Sequence, residues 1–291
     1  MYLLTFLSAL FLPLNNIGTK LNKTEGNAKI LSITCTTCIG GALSWLVCFV
    51  LKERVTADMF LFAVLFALFF IGATLSALNA YTKGSLSATS LFGNASLVVV
   101  VLFSTFYFKE ALGALSIVGV LGTLVSLALL SLPDEKTAGK RQGFNLVWLL
   151  LCLGMLLSNS LLSISSKLRQ SIANGENAFA FMALCYSFTF VLSLLVYACL
   201  QTKKHTFSDD FVKIKQNVLP IAIQATGNTG SNLLVTYLAS RVNATVLYPV
   251  NMGGGLVITV LCGFIFFKDK PNLKNIVGII FGIVSLILLN L

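Results

Sequence analysis

Charged residues break this chain at intervals, and between the breaks lie runs of about twenty residues with hardly a charge among them. Lys52-Glu53-Arg54, Lys109-Glu110 and Lys268-Asp269-Lys270-Pro271 mark three of the breaks, and the longest are Pro133–Gly143 and Gln201–Gln216. An α-helix rises about 1.5 Å per residue, so about 20 apolar residues cross a bilayer core about 30 Å thick. The runs predict ten membrane helices, over Met1–Lys20, Ile30–Leu51, Ala57–Lys83, Ser85–Phe108, Ala114–Leu132, Phe144–Lys167, Asn177–Leu200, Asn217–Ala239, Asn243–Phe267 and Asn272–Leu291. Composition leaves few other choices. The chain is 57% hydrophobic and 10% charged, with a mean hydropathy of +0.91. A soluble domain is about 25% charged, and this chain has too few charges to cover a water-facing surface. The 23 Phe and only 5 Pro exclude a disordered chain. Met1–Lys20 lacks a basic start and a small-residue cleavage site, and reads as a membrane helix rather than a removed signal peptide.

The chain also repeats itself. When Phe108–Leu132 is laid over Phe267–Leu291 without a gap, 11 of the 25 pairs are identical. They include Phe108/Phe267, Lys109/Lys268, Ile117-Val118-Gly119 over Ile276-Val277-Gly278, and Val125-Ser126-Leu127 over Val284-Ser285-Leu286. With small offsets the match runs upstream: Tyr81 on Tyr237, Ala88-Thr89 on Ala244-Thr245, Phe92 on Tyr248, and Lys20-Leu21 on Lys167-Leu168. Two five-helix units are predicted, residues 1–132 and 144–291, joined by the loop 133–143. An odd number of helices per unit sends the second unit into the membrane from the opposite face. The expected fold is therefore an all-α integral membrane protein, with ten transmembrane helices as two inverted five-helix repeats. That plan recurs in secondary transporters, whose binding sites lie near the midplane between the halves.

Five plus five apolar helices with short loops resemble the drug/metabolite transporter superfamily in its EamA-like branch. Each unit also ends in that family's manner, with a basic-acidic turn (Phe108-Lys109-Glu110; Phe267-Lys268-Asp269) before a Gly-containing last helix. Tyr237, Ala244-Thr245 and Tyr248-Pro249, ahead of the ninth span's glycines, are similar to it too. The resemblance implies efflux or exchange of small organic solutes, such as amino acids, nucleotide precursors or sugars. It implies a multi-pass place in a cell membrane, plasma or bacterial inner. Small multidrug-resistance relatives carry a glutamate in their first helix; Met1–Lys20 has none.

Polar side chains are costly in hydrocarbon, so those inside the spans are the candidates for function. Gln224, Asn228 and Asn232 recur every four residues in the eighth span, which puts them on one helix face. The corresponding line in the third span is Leu68, Gly72, Ser76 and Ala80, with Asn79 beside it. One reading has these faces opposed across a central cavity, with Asn228, Asn232 and Gln224 binding solute, Ser76 and Asn79 facing them, and Tyr248 as an aromatic wall. The other reading is interhelical glue, since amides bond across helices and small residues let helices approach. Asn15-Asn16, Asn159-Ser160, Asn94 with Ser90, and Asn251 are further polar pairs open to both readings. Pro249, before Gly253-Gly254-Gly255, predicts either a kink or a broken helix that exposes backbone to solute.

The ten acidic residues all fall in loops or at predicted helix ends, which argues against proton-driven export of a cation and favours facilitated diffusion, exchange, or a neutral or anionic solute; the carboxamide stripe, with no acidic neighbour, suits a neutral or zwitterionic one. Lys20, Lys83, Lys167 and Arg241 lie near helix ends, where they either snorkel to headgroups or bind an anionic group. The net charge of +10 reads as a membrane-surface feature, and no soluble domain is predicted to bind nucleic acid. Loops after odd-numbered spans hold 14 Lys and Arg and the others 6, which by the positive-inside rule puts both termini outside, whereas the resemblance implies both inside. Enzyme motifs are missing: His205 sits in a polar loop, and Cys35 and Cys38 have no second pair to complete a metal site. The prediction is a solute carrier without cofactor or metal. A non-transporting membrane scaffold or regulatory subunit is the alternative.

Overall fold

The computed structural model describes residues 2–108, 113–131, 146–200, 207–238, 249–267 and 273–288, and among these there is no strand. The helices are α1 (Tyr2–Leu21), α2 (Ala28–Leu51), α3 (Met59–Lys83), α4 (Leu86–Asn94), α5 (Ser96–Phe108), α6 (Ala114–Ser131), α7 (Leu146–Ile172), α8 (Ala178–Leu200), α9 (Phe207–Gln216), α10 (Val218–Leu238), α11 (Gly255–Phe266) and α12 (Leu273–Leu288). A π-helical turn, Pro249–Gly254, leads into α11. Among the described residues, five stretches are long and apolar enough to cross a membrane: α2, α3, α4 with α5, α7 and α8. Large apolar side chains point outward from the bundle, among them Phe49, Phe106 and Phe266, while small hydroxyls and amides are buried within it. That inside-out distribution is the one lipid imposes, and the chain is a multi-pass, all-helical membrane protein.

Helices of the first half pack chiefly on helices of the second. α1 lies along α10, α2 along α8, α3 along α7, and α6 along α12. Glycine makes the α1–α10 crossing close: a Cβ on Gly227 would run into the backbone of Asn15, and one on Gly18 into that of Gln224. The α6–α12 crossing is reciprocal. Gly122 packs on Ser285, Gly282 packs on Ser126, and the Ser126 hydroxyl donates to the Gly278 carbonyl at 2.6 Å. Ser126 and Ser285 are the serines that the sequence alignment superimposes.

Two local features depart from the sequence reading. The fourth span is broken after Asn94, whose side-chain amide donates back to the Ser90 carbonyl at 2.8 Å. Beyond the break, the Ser160 hydroxyl of α7 donates to the Leu156 carbonyl of its own helix at 2.7 Å and lies 3.2 Å from the Ser96 carbonyl, so α7 packs polar-side-on against the interruption. The loop 201–216 contains helix α9, whose acids Asp209 and Asp210 open its first turn and whose Lys213 and Lys215 close its last, as the helix dipole favours. Phe207, Phe211 and Val212 are exposed on α9, and Tyr197 of α8 donates to Asp210 at 3.0 Å. The linker 133–143, the turns 109–112 and 268–272, and His205, Arg241 and Tyr248 lie outside the described residues.

Candidate functional site

A cavity of about 180 Å³ lies between α1, α3, α4, α7, α10 and the π-helical turn. Each helix contributes one face at helical spacing. From α1 come Leu12, Asn15, Asn16 and Thr19; from α10, Gln224, Asn228, Ser231, Asn232, Val235 and Thr236. α7 gives Met155, Asn159, Leu162, Ser163, Ser166, Lys167 and Gln170, and α3 gives the apolar wall of Phe66, Phe70, Ala73 and Ala77 with Thr74 and Tyr81. The broken fourth span adds Ser90, Asn94 and Ser96, and the π-turn adds Asn251 and Met252. The lining is thus one aromatic-aliphatic wall facing a surface of carboxamides and hydroxyls. Among the described residues it contains one cation, Lys167, and no acid.

The carboxamides of α10 are held in place by Tyr186 of α8. The Tyr186 hydroxyl donates to Asn228 Oδ1 at 2.8 Å and accepts from Asn232 Nδ2 at 3.1 Å, and Asn232 Nδ2 also donates to Asn228 Oδ1 at 3.0 Å. These bonds occupy Asn228 Oδ1 and Asn232 Nδ2. Asn228 Nδ2 and Asn232 Oδ1 make no hydrogen bond to described protein groups, so one donor and one acceptor are left on residues that are half-buried in the cavity lining. The Tyr186 ring is fully buried, edge-on to Phe66 at 6.3 Å and to Phe70 at 5.9 Å, and Gly40 of α2 gives it room. Gln224 has a different role: its Oε1 accepts from Asn22 at 3.4 Å, and Asn22 also donates to Ser32 at 2.6 Å. It ties the start of α10 to the α1–α2 turn.

Other lining amides divide in the same way between structure and cavity. Asn251 donates to Ser8 at 2.9 Å and Ser231 at 3.3 Å, and Asn16 donates to Thr259 at 3.3 Å, which joins α1 to the π-turn and α11. Tyr81 bonds Ser90 at 3.1 Å, and because Ser90 Oγ is itself committed to the Leu86 carbonyl at 2.6 Å, the phenol is the donor. Lys20 donates to the carbonyls of Tyr81 and Gly84 at the C-terminus of α3, where a cation is favoured, and Lys167, its partner in the sequence alignment, lines the cavity and donates to Ser104 at 2.6 Å.

Of the residues expected to bind solute, Gln224, Asn228 and Asn232 line the cavity. Ser76 and Asn79 do not. Ser76 packs against Gly154 of α7, and Asn79 accepts from Lys29 and donates to the Leu75 carbonyl at 2.8 Å. The line Gly72–Ser76 is the face by which α3 meets α7; the cavity takes the adjacent face that carries Phe66, Phe70, Thr74 and Tyr81. Sequence reasoning did not single out Tyr186 or Gln170, nor did it place Lys167 inside the cavity.

At one end of the bundle, a polar clamp joins the α2–α3 turn to the last turn of α7 and the first turn of α8. Glu53 accepts from the backbone N–H groups of Phe179 and Ala180 at 2.8 and 2.9 Å, which caps the start of α8. Arg169 is fully buried; it donates to the Glu176 carbonyl at 2.7 Å, pairs with Asp58 at 3.4 Å and lies over the Phe181 ring at 5.2 Å. The Thr56 hydroxyl and the Arg169 guanidinium hold the Asp58 carboxyl below its usual range.

No family model matches the chain, and no curated protein does. Among solved structures 28 chains match. One of them, described only as "Crystal structure of protein", has a TM-score of 0.63 and 16% identity over 98% of this chain and 94% of its own. At that identity the likeness is one of fold alone.

Proposed function

We propose that this chain is a secondary carrier that moves a small polar organic solute across a cell membrane by alternating access. In this reading it has ten membrane helices in two inverted five-helix repeats, as in the EamA-like transporters it resembles. The observation that carries the reading is the cavity. A space of about 180 Å³ at the interface of the two halves is slightly larger than the roughly 150 Å³ that admits benzene, so it suits a solute of about six to ten heavy atoms. Its amide and hydroxyl lining matches the hydroxyl, carbonyl and amine groups of such a solute, and the Phe66–Phe70 wall accommodates a short apolar body.

Two features support the inverted repeat. The α6–α12 crossing is self-complementary at the aligned serines, and the α1–α10 and α3–α7 pairings exchange under a swap of the two units. The test is reconstitution in liposomes loaded with a metabolite mixture, with uptake of labelled members of that mixture measured outside. A carrier gives saturable uptake accelerated by internal solute. A membrane scaffold gives neither saturation nor counterflow, and that result refutes the proposal.

A further inference from the structure

Gln170 is 5% exposed, lines the cavity, and has neither of its amide atoms in a hydrogen bond. A buried amide without partners costs stability, and Leu at the same place would not. The amide is therefore explained by a group that enters the cavity and bonds it. Gln170 offers that group a donor, Nε2, and an acceptor, Oε1, side by side in one plane. The α10 wall repeats the offer with Asn228 Nδ2 as donor and Asn232 Oδ1 as acceptor, the two amide atoms that the Tyr186 cluster leaves over. The cavity thus presents two donor–acceptor pairs, one on α7 and one on α10, beside the apolar wall of Phe66 and Phe70.

Solute groups meet such a pair differently. A carboxylate carries acceptors only and leaves Gln170 Oε1 unmet; an ammonium carries donors only and leaves Nε2 unmet. A zwitterion has both, but no carboxylate lies among the described lining residues to answer its ammonium. A diol also has both, yet each hydroxyl brings surplus lone pairs that Phe66 and Phe70 do not meet. A ring amide holds N–H and C=O side by side in one plane, so one rigid group satisfies the pair and its flat face lies on the apolar wall. We propose that the solute is a neutral cyclic amide with two N–H/C=O edges, a pyrimidine base of the uracil type, bound through Gln170 at one edge and through Asn228 and Asn232 at the other. The inference rests on the carrier reading above and adds the chemical class of its solute. At each edge the ring N–H donates to the side-chain oxygen, Gln170 Oε1 or Asn232 Oδ1, and the ring C=O accepts from Gln170 Nε2 or Asn228 Nδ2. Uracil lies within the size range that the cavity suits. Lys167, one turn before Gln170, is engaged with Ser104, and its charge takes no part in the assignment.

The test uses uracil, 1-methyluracil, 3-methyluracil and 1,3-dimethyluracil, a series that keeps the ring and both carbonyls and removes the N–H donors one at a time. Proline and erythritol, similar in size, stand for a zwitterion and a polyol. Binding to the purified full-length protein is measured by calorimetry, and exchange of labelled uracil by counterflow in liposomes. Each single methylation should weaken binding about 5- to 30-fold, because it leaves one buried acceptor without its donor. Gln170→Leu should weaken uracil binding about 5- to 30-fold and remove the penalty of one of the two methylations, and Asn232→Leu should remove the penalty of the other. Gln170→Leu should also raise the melting temperature by about 2–4 °C, and a more stable variant that binds less tightly is a combination a purely structural glutamine does not give.

If uracil binds no better than its dimethyl derivative, proline or erythritol, or if Gln170→Leu binds uracil as wild type does, the cyclic-amide assignment is overturned. The carrier reading then stands on counterflow of any other member of a broad metabolite mixture. If neither uracil nor any member of that mixture exchanges, both are overturned.

Discussion

Replacing Tyr186 by Phe separates a solute-binding cluster from interhelical glue. The substitution removes one hydroxyl and leaves the ring in place, edge-on to Phe66 and Phe70, so the buried aromatic cluster keeps its packing. Lost are the bond to Asn228 Oδ1 at 2.8 Å and the bond from Asn232 Nδ2 at 3.1 Å. Each neutral bond contributes about 0.5–1.5 kcal/mol net, or about 1–3 kcal/mol for the two. The loss falls toward the lower half of that range, about 1–2 kcal/mol, because Asn228 Oδ1 keeps its bond to Asn232 and both amides border a polar cavity. The energy concerns orientation: without the phenol, the two carboxamides are free to rotate away from the pose that presents Asn228 Nδ2 and Asn232 Oδ1. In liposome counterflow, the apparent KM should rise about 5- to 30-fold with little change in maximal rate. The melting temperature of the purified variant in detergent should fall as well, by about 2–8 °C at about 2–4 °C per kcal/mol. A clearly lowered melting temperature with an unchanged KM would refute the reasoning and make the trio a packing device.

Three further predictions concern the scaffold. Arg169→Met removes the bond to the Glu176 carbonyl and the contact with Phe181 while leaving Asp58 partly solvated, and should cost about 2–4 kcal/mol, read as a lower melting temperature; an unchanged value would mean the burial cost of the guanidinium already cancels its contacts. Gly227→Val drives a side chain into the backbone of α1 and should sharply reduce folded protein by size-exclusion chromatography, whereas Gly254→Ala, whose nearest neighbour would be Ala9 Cβ at 3.7 Å, should be tolerated. Because the Asp58 carboxyl lies below its ordinary value of 3.8 in the folded protein, its contribution is complete above about pH 4 and lost as pH falls through the folded value. Thermal melts from pH 6 to pH 3 should therefore show a steeper acid loss for wild type than for Asp58→Asn.

Run length and spacing carried the sequence reading where one physical rule decides the outcome. Ile30–Leu51 and Asn177–Leu200 were expected as helices, and α2 and α8 occupy Ala28–Leu51 and Ala178–Leu200, because lipid leaves an apolar run of that length little but helix. The four-residue stripe in α10 pointed at a shared face, and that face borders the cavity. Spacing states which residues share a face, not which neighbour the face meets; hence Ser76 was expected opposite the amides and lies instead against Gly154. Tyr186 was illegible because in a run with Phe179, Phe181, Phe188 and Phe190 it reads as one more core ring, and its role comes from α10. Gln170 lay just past the expected end of the sixth span at Lys167, whereas α7 continues to Ile172, so an inward amide read as a loop residue. The signal that could have found it was its three-residue spacing from Lys167 and seven-residue spacing from Ser163.

The two ends of the bundle are fastened by different chemistry, which bears on how a carrier of this build would open. At one end the first-half turn 52–58 grips the second half through charged groups: Glu53 on the N–H groups of Phe179 and Ala180, and Asp58 on Arg169. At the other end the ties among the described residues are neutral: the Lys23 backbone N–H to Asn217 Oδ1 at 3.0 Å, Asn27 to the Leu200 carbonyl at 3.1 Å, and Asn22 to Gln224 at 3.4 Å. Bonds to a charged group are roughly twice as strong as neutral ones, and a carboxylate at a helix N-terminus gains from the dipole as well. Separating the halves at the Glu53 end therefore costs more, and the resting population should favour openness at the opposite end. Glu53→Gln keeps the size and one acceptor oxygen but loses the charge, so it should move that population toward opening at its own end. With a single added cysteine at Ser163 on the α7 face of the cavity, in a background where exposed Cys38 and Cys199 are Ser, a membrane-impermeant maleimide applied from the Glu53 side should label Glu53→Gln several-fold faster than the parent. Equal labelling rates from that side in the two proteins would mean that Glu53 caps α8 without holding the cavity shut.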